Sequence, residues 1–224
     1  MSELKVIAKI RTDFPTKFGI PRQSGLVDTV GKIVFEEKYK NPDALRGLED
    51  FSHLWLIWGF SEVDKTEWSP TVRPPRLGGN KRVGVFATRS PFRPNPIGLS
   101  SVKILEIKNG EIFVSGADLL DGTPIFDIKP YIPYTDCHTD ALGGFSDDVL
   151  GDNLEVEISE EFKDVLGEDY DKTIAVLEGD PRPHYQNDPN RIYAFEFSKY
   201  HIEFKVNINL LTVTKITKTG EKSV

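Results

Sequence analysis

Apolar and polar residues alternate, or cluster in short runs, through most of residues 1–135. The segments are Leu4 to Ile10, Lys32 to Phe35, Phe51 to Phe60, Val83 to Thr88, Val102 to Ile107, Ile112 to Gly116 and Ile125 to Ile128. A period of two over four to eight residues is the mark of a half-buried strand, so this part of the chain is predicted to be mostly β. Asn109-Gly110 lies between two such runs, and its tolerance of positive φ predicts a tight antiparallel hairpin. The run Leu54-Trp-Leu-Ile-Trp-Gly-Phe is apolar on both alternating faces, which predicts a central strand buried on both sides.

Helical spacing emerges only late. Ser159-Glu-Glu-Phe has an acidic first turn behind a capping serine, and Phe162, Val165 and Leu166 share a face. Thr173 to Leu177 predicts a second, shorter helix, followed by alternating strands over Arg191 to Phe197 and His201 to Val206 joined at Ser198-Lys-Tyr. The expected architecture is mainly β with an α+β close: a first domain over 1–138 and a small α+β lobe over 139–224.

The chain has 224 residues, of which 38% are apolar, enough for a sizeable core and against wholesale disorder. Its one cysteine, Cys137, rules out an internal disulfide or a cysteine metal site and points to a reducing, cytoplasmic setting. No apolar run approaches the length of a membrane span, and the first residues lack the apolar core of a signal peptide. The net charge of −7 argues against indiscriminate nucleic-acid binding, but it is unevenly distributed. Lys65 to Arg93 holds seven basic residues and one acid, whereas Asp136 to Asp180 holds fifteen acids and two bases. Proline and glycine interleave the basic run, which makes it a shaped loop rather than a helix face.

The glycine-rich dinucleotide and phosphate fingerprints, the paired-histidine zinc motif and paired cysteines do not occur, and the four histidines are scattered, so no metal site is expected. Three polar, glycine-containing stretches interrupt the β pattern instead. They are Lys17-Phe-Gly-Ile-Pro-Arg-Gln-Ser-Gly; Arg73-Pro-Pro-Arg-Leu-Gly-Gly-Asn running into Ala87-Thr-Arg-Ser-Pro-Phe-Arg-Pro-Asn-Pro-Ile-Gly-Leu-Ser; and Asp118-Leu-Leu-Asp-Gly-Thr-Pro-Ile-Phe-Asp-Ile-Lys-Pro-Tyr. They read either as surface turns or as parts of a ligand site. Closely spaced guanidiniums suit phosphate or carboxylate groups. The carboxylates of the third stretch suit ribose hydroxyls, an amino group or an exocyclic amine.

These stretches, with Phe18-Gly-Ile-Pro-Arg-Gln, Phe51-Ser-His-Leu-Trp and Asp180-Pro-Arg-Pro-His-Tyr, resemble the TrmO (TsaA-like) tRNA methyltransferase family over roughly residues 5–206. The resemblance implies a β-barrel-like domain that binds S-adenosylmethionine without a Rossmann fold, a smaller C-terminal lobe and a homodimer. The implied reaction is methylation of N6 of threonylcarbamoyl-adenosine beside the anticodon of tRNA.

Carried residue by residue, the resemblance puts cofactor contacts at Pro21, Arg22, Gln23, Ser61, Glu62, Arg89, Leu99, Asp118, Leu119, Leu120 and Asp121, with Ser61 standing where relatives carry His. Arg73, Arg76, Lys81, Arg82, Arg93 and Lys129 are the candidates for tRNA phosphates, which give affinity and salt dependence rather than base choice. Phe92, Trp68 or Tyr131 could stack on the adenine. Asp118, Asp127 and Tyr131 are the candidates for accepting the proton released by the poorly nucleophilic acceptor nitrogen. The acidic 136–180 stretch is expected to lie away from the RNA or to repel misdocked backbone. Two other readings compete: a non-catalytic RNA-binding β-barrel module, and a methyltransferase acting on a small molecule.

Overall fold

The computed structural model describes residues 4–62, 68–74, 77, 81–149, 153–182 and 188–219. Six strands close into an antiparallel barrel in the order β1-β2-β7-β6-β3-β8. These are β1 (Ala8–Arg11), β2 (Val30–Phe35), β3 (His53–Gly59), β6 (Ile97–Lys108), β7 (Glu111–Ser115) and β8 (Pro124–Pro130). The alternating positions Ile10, Ile33, Leu54, Leu56, Ile112, Val114 and Ile125 fill the interior with no exposed surface. Each such side chain contributes roughly 1.5–3 kcal/mol relative to exposure, and closure leaves no unpaired barrel edge.

The Asn109-Gly110 hairpin joins β6 to β7, with φ of 54° and 74° at its two turn residues, the positive values that a two-residue turn of this hand requires. At the other end, Trp58 closes the barrel. Its indole lies where a Cβ on Gly98 would stand, and its Nε1 donates to Ser100 Oγ at 3.0 Å.

β3 lies between β6 and β8, but only one of its faces is fully buried. Leu54, Leu56 and Trp58 point inward, while His53, Trp55 and Ile57 are half-buried on the outer wall. A barrel has one interior, so a strand apolar on both faces must leave one set outside.

The expected Val83–Thr88 strand is shorter than its pattern. β4 (Thr71–Val72) and β5 (Val83–Gly84) form a two-stranded ribbon, and Val85–Ala87 turns into a single helical turn closed by the Thr88 N–H and hydroxyl on the Val85 carbonyl.

After α1 (Pro133–Asp136) and a turn over Gly144–Val149, the chain forms a second sheet in the order β10-β11-β12-β9. Its strands are β9 (Glu155–Glu157), β10 (Tyr193–Phe197), β11 (Tyr200–Asn207) and β12 (Leu210–Lys218). The expected helices are α2 (Glu160–Leu166) and α3 (Tyr170–Glu178), the second being the longer of the two rather than the shorter. Ser159 takes the cap position, although its hydroxyl bonds Glu161 rather than a helix N–H.

β9 and β12 were not expected from the sequence. β12 carries a register shift opposite Glu203/Phe204, so its buried Leu211, Val213 and Ile216 lose strict alternation. The core of this lobe also contains Phe14 and Val27, which belong to the connection between β1 and β2. No described helix is long and apolar enough to cross a membrane.

Candidate functional site

The register places all three unusual stretches at one end of the barrel. Val30 pairs with Ser115, Gly59 with Ile97, and Lys9 with Pro124. The connections β1–β2, β3–β6 and β7–β8 therefore emerge side by side, while the tight β6–β7 hairpin is at the opposite end. Alternating strand direction thus gathers residues separated by about a hundred positions.

At this end the first stretch meets the residues leading into the third backbone to backbone. Gly25 N–H donates to the Gly116 carbonyl at 2.9 Å, and a Cβ on Gly116 would stand 3.1 Å from the Gly25 backbone. The second stretch joins them through Arg89, whose guanidinium donates to Gln23 Oε1. Beside it, Asp118 accepts from Ser100 Oγ at 2.5 Å. Burial raises the Asp118 carboxyl above the ordinary carboxylate value, opposed by the Ser100 hydroxyl, the Arg89 charge and the Ser24 backbone. Asp118, Ser100 and Trp58 form a hydrogen-bonded chain into the barrel core, and the Gln23–Arg89 pair lies within electrostatic reach of its outer end.

Next to this chain lies an open cleft of about 1360 Å³. Arg22, Arg73, Arg82 and Arg89 supply its charge, and its described lining holds no carboxylate. Arg73 follows β4 and Arg82 precedes β5, so the Val72–Val83 pair holds them across the ribbon from one another, with Arg82 Nη1 donating to Thr71 Oγ1 at 2.8 Å. Phe86 and Phe92 are exposed in the cleft, and Trp68 stacks on Phe86 with centroids 6.4 Å apart. Exposed aromatic faces among guanidiniums are a platform for unpaired bases.

The other expected site residues lie as follows. Pro21 is half-buried beside Arg22. Ser61 and Glu62 are exposed after β3, where Lys17 Nζ donates to the Glu62 carbonyl at 2.7 Å. Leu119 is in the barrel core, and its carbonyl accepts from Thr12 Oγ1. The Leu120 carbonyl accepts from Thr123 Oγ1 at 2.7 Å. Asp121 faces Arg11 at 3.3 Å and accepts from the Thr12 N–H, bonds that fasten the base of the first stretch. Arg22 reaches the carbonyl of Asp180 rather than Asp121.

Leu99 lies on the outer barrel wall opposite Ile57. Asp127 sits mid-strand, 3.0 Å from Lys129, and Tyr131 packs on Trp55 beyond the far end of β8, away from the cleft. Among the basic residues, Lys81 is exposed, while Arg93 turns inward to donate to the Thr88 and Ser90 carbonyls at 3.0 and 3.3 Å, tying its own loop. Arg76 lies outside the described residues.

Two contributions were missed in the sequence. Phe86 looked like one more strand residue. Gly143, Phe145 and Ser146 line the cleft from inside the acidic stretch, so that stretch does not turn wholly away. Nothing local marks them.

A closed antiparallel barrel that gathers an arginine- and phenylalanine-lined cleft at one end, with the half-buried Asp118 carboxylate near its Arg89 side, defines a nucleotide-handling protein built without a doubly wound sheet. The comparisons with known proteins identify the class. The chain belongs to the tRNA-methyltransferase O family: residues 9–137 match the tRNA-methyltransferase O N-terminal domain, and residues 152–219 match the TrmO C-terminal domain. It is 39% identical over 218 residues to the tRNA (adenine(37)-N6)-methyltransferase of Escherichia coli, covering 91% of this chain and 93% of that one. An S-adenosyl-L-methionine-binding protein of Archaeoglobus fulgidus is 38% identical over 134 residues, 60% of this chain and 92% of its own. The crystal structure of TrmO from Pseudomonas aeruginosa superposes with a TM-score of 0.77 at 32% identity, covering 97% of this chain and 99% of that one.

Proposed function

We propose that the protein is an S-adenosylmethionine-dependent tRNA methyltransferase acting on N6 of threonylcarbamoyl-adenosine next to the anticodon. The observation that carries the site assignment is the convergence of three separate stretches at one barrel end, with Gln23 bonded to Arg89 in a cationic aromatic cleft and Asp118 within the electrostatic reach of Arg89. The donor set fits the cofactor in kind. Arg22 and Arg89 suit its carboxylate, Asp118 its ammonium or ribose hydroxyls, and Gln23 an adenine edge. The volume exceeds the range of about 300–1,000 Å³ usual for one small ligand and leaves room for an acceptor nucleotide beside the cofactor.

When bound, the cofactor supplies a methyl group on a positively charged sulfur. The chain's own part is chiefly alignment, since in-line displacement gains most from holding the reacting atoms in place. Arg73 and Arg82 hold backbone phosphates, and Phe86 and Phe92 stack on unpaired bases. Of the three candidates for taking the acceptor's proton, Asp118 is the one nearest the cleft, within the electrostatic reach of the lining residue Arg89. Its raised basicity, set first by burial, suits it to that role better than Asp127, which is engaged with Lys129, or Tyr131 at the far end.

The protein works as a homodimer in the cytoplasm; Ile97 and Leu99, 37% and 54% exposed on the outer wall beside the site end, supply apolar surface for a second copy. The test is to incubate the protein with S-adenosylmethionine and tRNA carrying threonylcarbamoyl-adenosine, then digest the tRNA and weigh its nucleosides. The modified nucleoside should gain one methyl group, and the cofactor should raise the thermal midpoint. Neither effect would leave an RNA-binding module; stabilisation without methylated tRNA would leave a small-molecule methyltransferase.

A further inference from the structure

The connection between β1 and β2 carries two cleft residues, Arg22 and Gln23, and it is anchored on the C-terminal lobe as well as on the barrel. Phe14 and Val27, near its two ends, are buried in the C-terminal core, and Phe14 packs on Phe197 with centroids 5.5 Å apart. Ser198 N–H donates to the Asp13 carbonyl at 2.7 Å. Gly19, at φ 84°, lets the loop lie directly against the Phe195 ring, where no Cβ would fit.

Asp180 contacts the loop's tip. It follows α3 with φ 55°, a left-handed conformation that aspartate tolerates better than most residues. Its side chain is 9% exposed and accepts from Arg182 Nε at 2.9 and 3.2 Å. Arg22 Nη2 donates to the Asp180 carbonyl at 3.2 Å and lies 3.9 Å from its carboxylate.

We propose that the C-terminal lobe sets the geometry of the cofactor end of the cleft, with Asp180 as the positioning residue that acts through Arg22. The claim rests on the cofactor assignment above. Docking of the lobe places the loop, and Asp180 fixes the direction of the Arg22 guanidinium. Gln23, the next residue, is thereby presented to Arg89. Among the described residues, the lobe acts on the cofactor end of the cleft through this loop and the Arg22–Asp180 pair, without itself supplying a catalytic residue.

The test compares the full-length parent with Asp180→Asn, Arg22→Gln, the double variant and Val176→Ala. Val176 is buried in α3 within the same lobe and serves as the control for stability alone. Calorimetric titration with S-adenosylmethionine should show about fivefold weaker binding for each of the first two, the scale of one ordinary net hydrogen bond, because Asn keeps the carbonyl that Arg22 bonds but loses the charge that faces Arg22 and holds Arg182. The double variant should be no weaker than the poorer single, because both act on one path. The KM for the cofactor should rise while kcat at saturation is kept. Val176→Ala should lower the thermal midpoint with affinity within about twofold of the parent, the usual scatter for independent sites.

Parent-like affinity in Asp180→Asn, fully additive losses, a fall in kcat at unchanged KM, or equal weakening by Val176→Ala would each overturn the proposal. Should Asp180→Asn unfold at the assay temperature, Gly19→Ala, which lifts the loop from Phe195, must weaken binding similarly, and unchanged affinity there would also overturn it. A parent that binds no S-adenosylmethionine refutes the cofactor assignment instead.

Discussion

Replacing Arg73 and Arg82 together by alanine separates RNA affinity from cofactor affinity. Both arginines are exposed in the cleft and flank the Val72–Val83 pair, and neither belongs to the Gln23–Arg89 pair or to the chain that starts at Asp118. Arg93 is unsuitable for this test because its guanidinium closes its own loop, so its loss would deform the cleft. Each phosphate contact on single-stranded nucleic acid adds about 0.7 to the slope of log affinity on log salt, so losing two should lower that slope by about 1.4. Between about 50 and 200 mM salt, the parent should then lose roughly sevenfold more tRNA affinity than the variant. Fluorescence anisotropy with labelled tRNA over a potassium chloride series gives the slope, and calorimetry gives cofactor binding, expected within about twofold of the parent. An unchanged slope, or cofactor binding reduced in step with RNA binding, would refute the division of the cleft.

Other variants probe the remaining parts. Because the folded-state carboxyl of Asp118 is raised, its penalty on stability is absent below its unfolded value and grows as pH rises through the folded one. Asp118→Asn should therefore gain stability relative to the parent as pH rises from about 4, where unfolded aspartates titrate, while binding the cofactor more weakly; urea midpoints that differ by a constant amount across pH would contradict this. Gly116→Ala combines strain at φ 83° with a Cβ 3.1 Å from the Gly25 backbone. It should cost about 2–5 kcal/mol in calorimetric unfolding, and a loss under about 1 kcal/mol would show that the two segments are not tightly joined. Ser100→Ala removes the acceptor of the buried Trp58 indole as well as the donor to Asp118 and should destabilise by roughly 1–3 kcal/mol. Leu99→Lys should convert a dimer to a monomer in light scattering, and an unaltered mass would remove that wall from the contact.

Much of the fold can be read locally. Alternation marked the barrel strands because only one side of each faces the interior, and Asn109-Gly110 marked its hairpin because few other residues accept its angles. β12 escaped because its register shift breaks the period that alternation depends on. At the site, the first and third stretches and Arg89 are recognisable by their composition. Phe86 and the Gly143–Ser146 segment are not, since exposure of a phenylalanine and the path of a linker depend on neighbours far along the chain.

The amino-acid order by itself determined most of the barrel strands, where charge of each sign accumulates and which family the three odd stretches resemble. Those properties depend on nearest neighbours and on period. Only the tertiary structure decided that the three stretches leave the barrel at one end, that Arg73 and Arg82 face the cleft while Arg93 ties its own loop, and that Arg22 meets Asp180 across 158 positions. A guanidinium is the same group at every position in a sequence; its task is set by the partners that barrel closure and packing of the second lobe bring within reach.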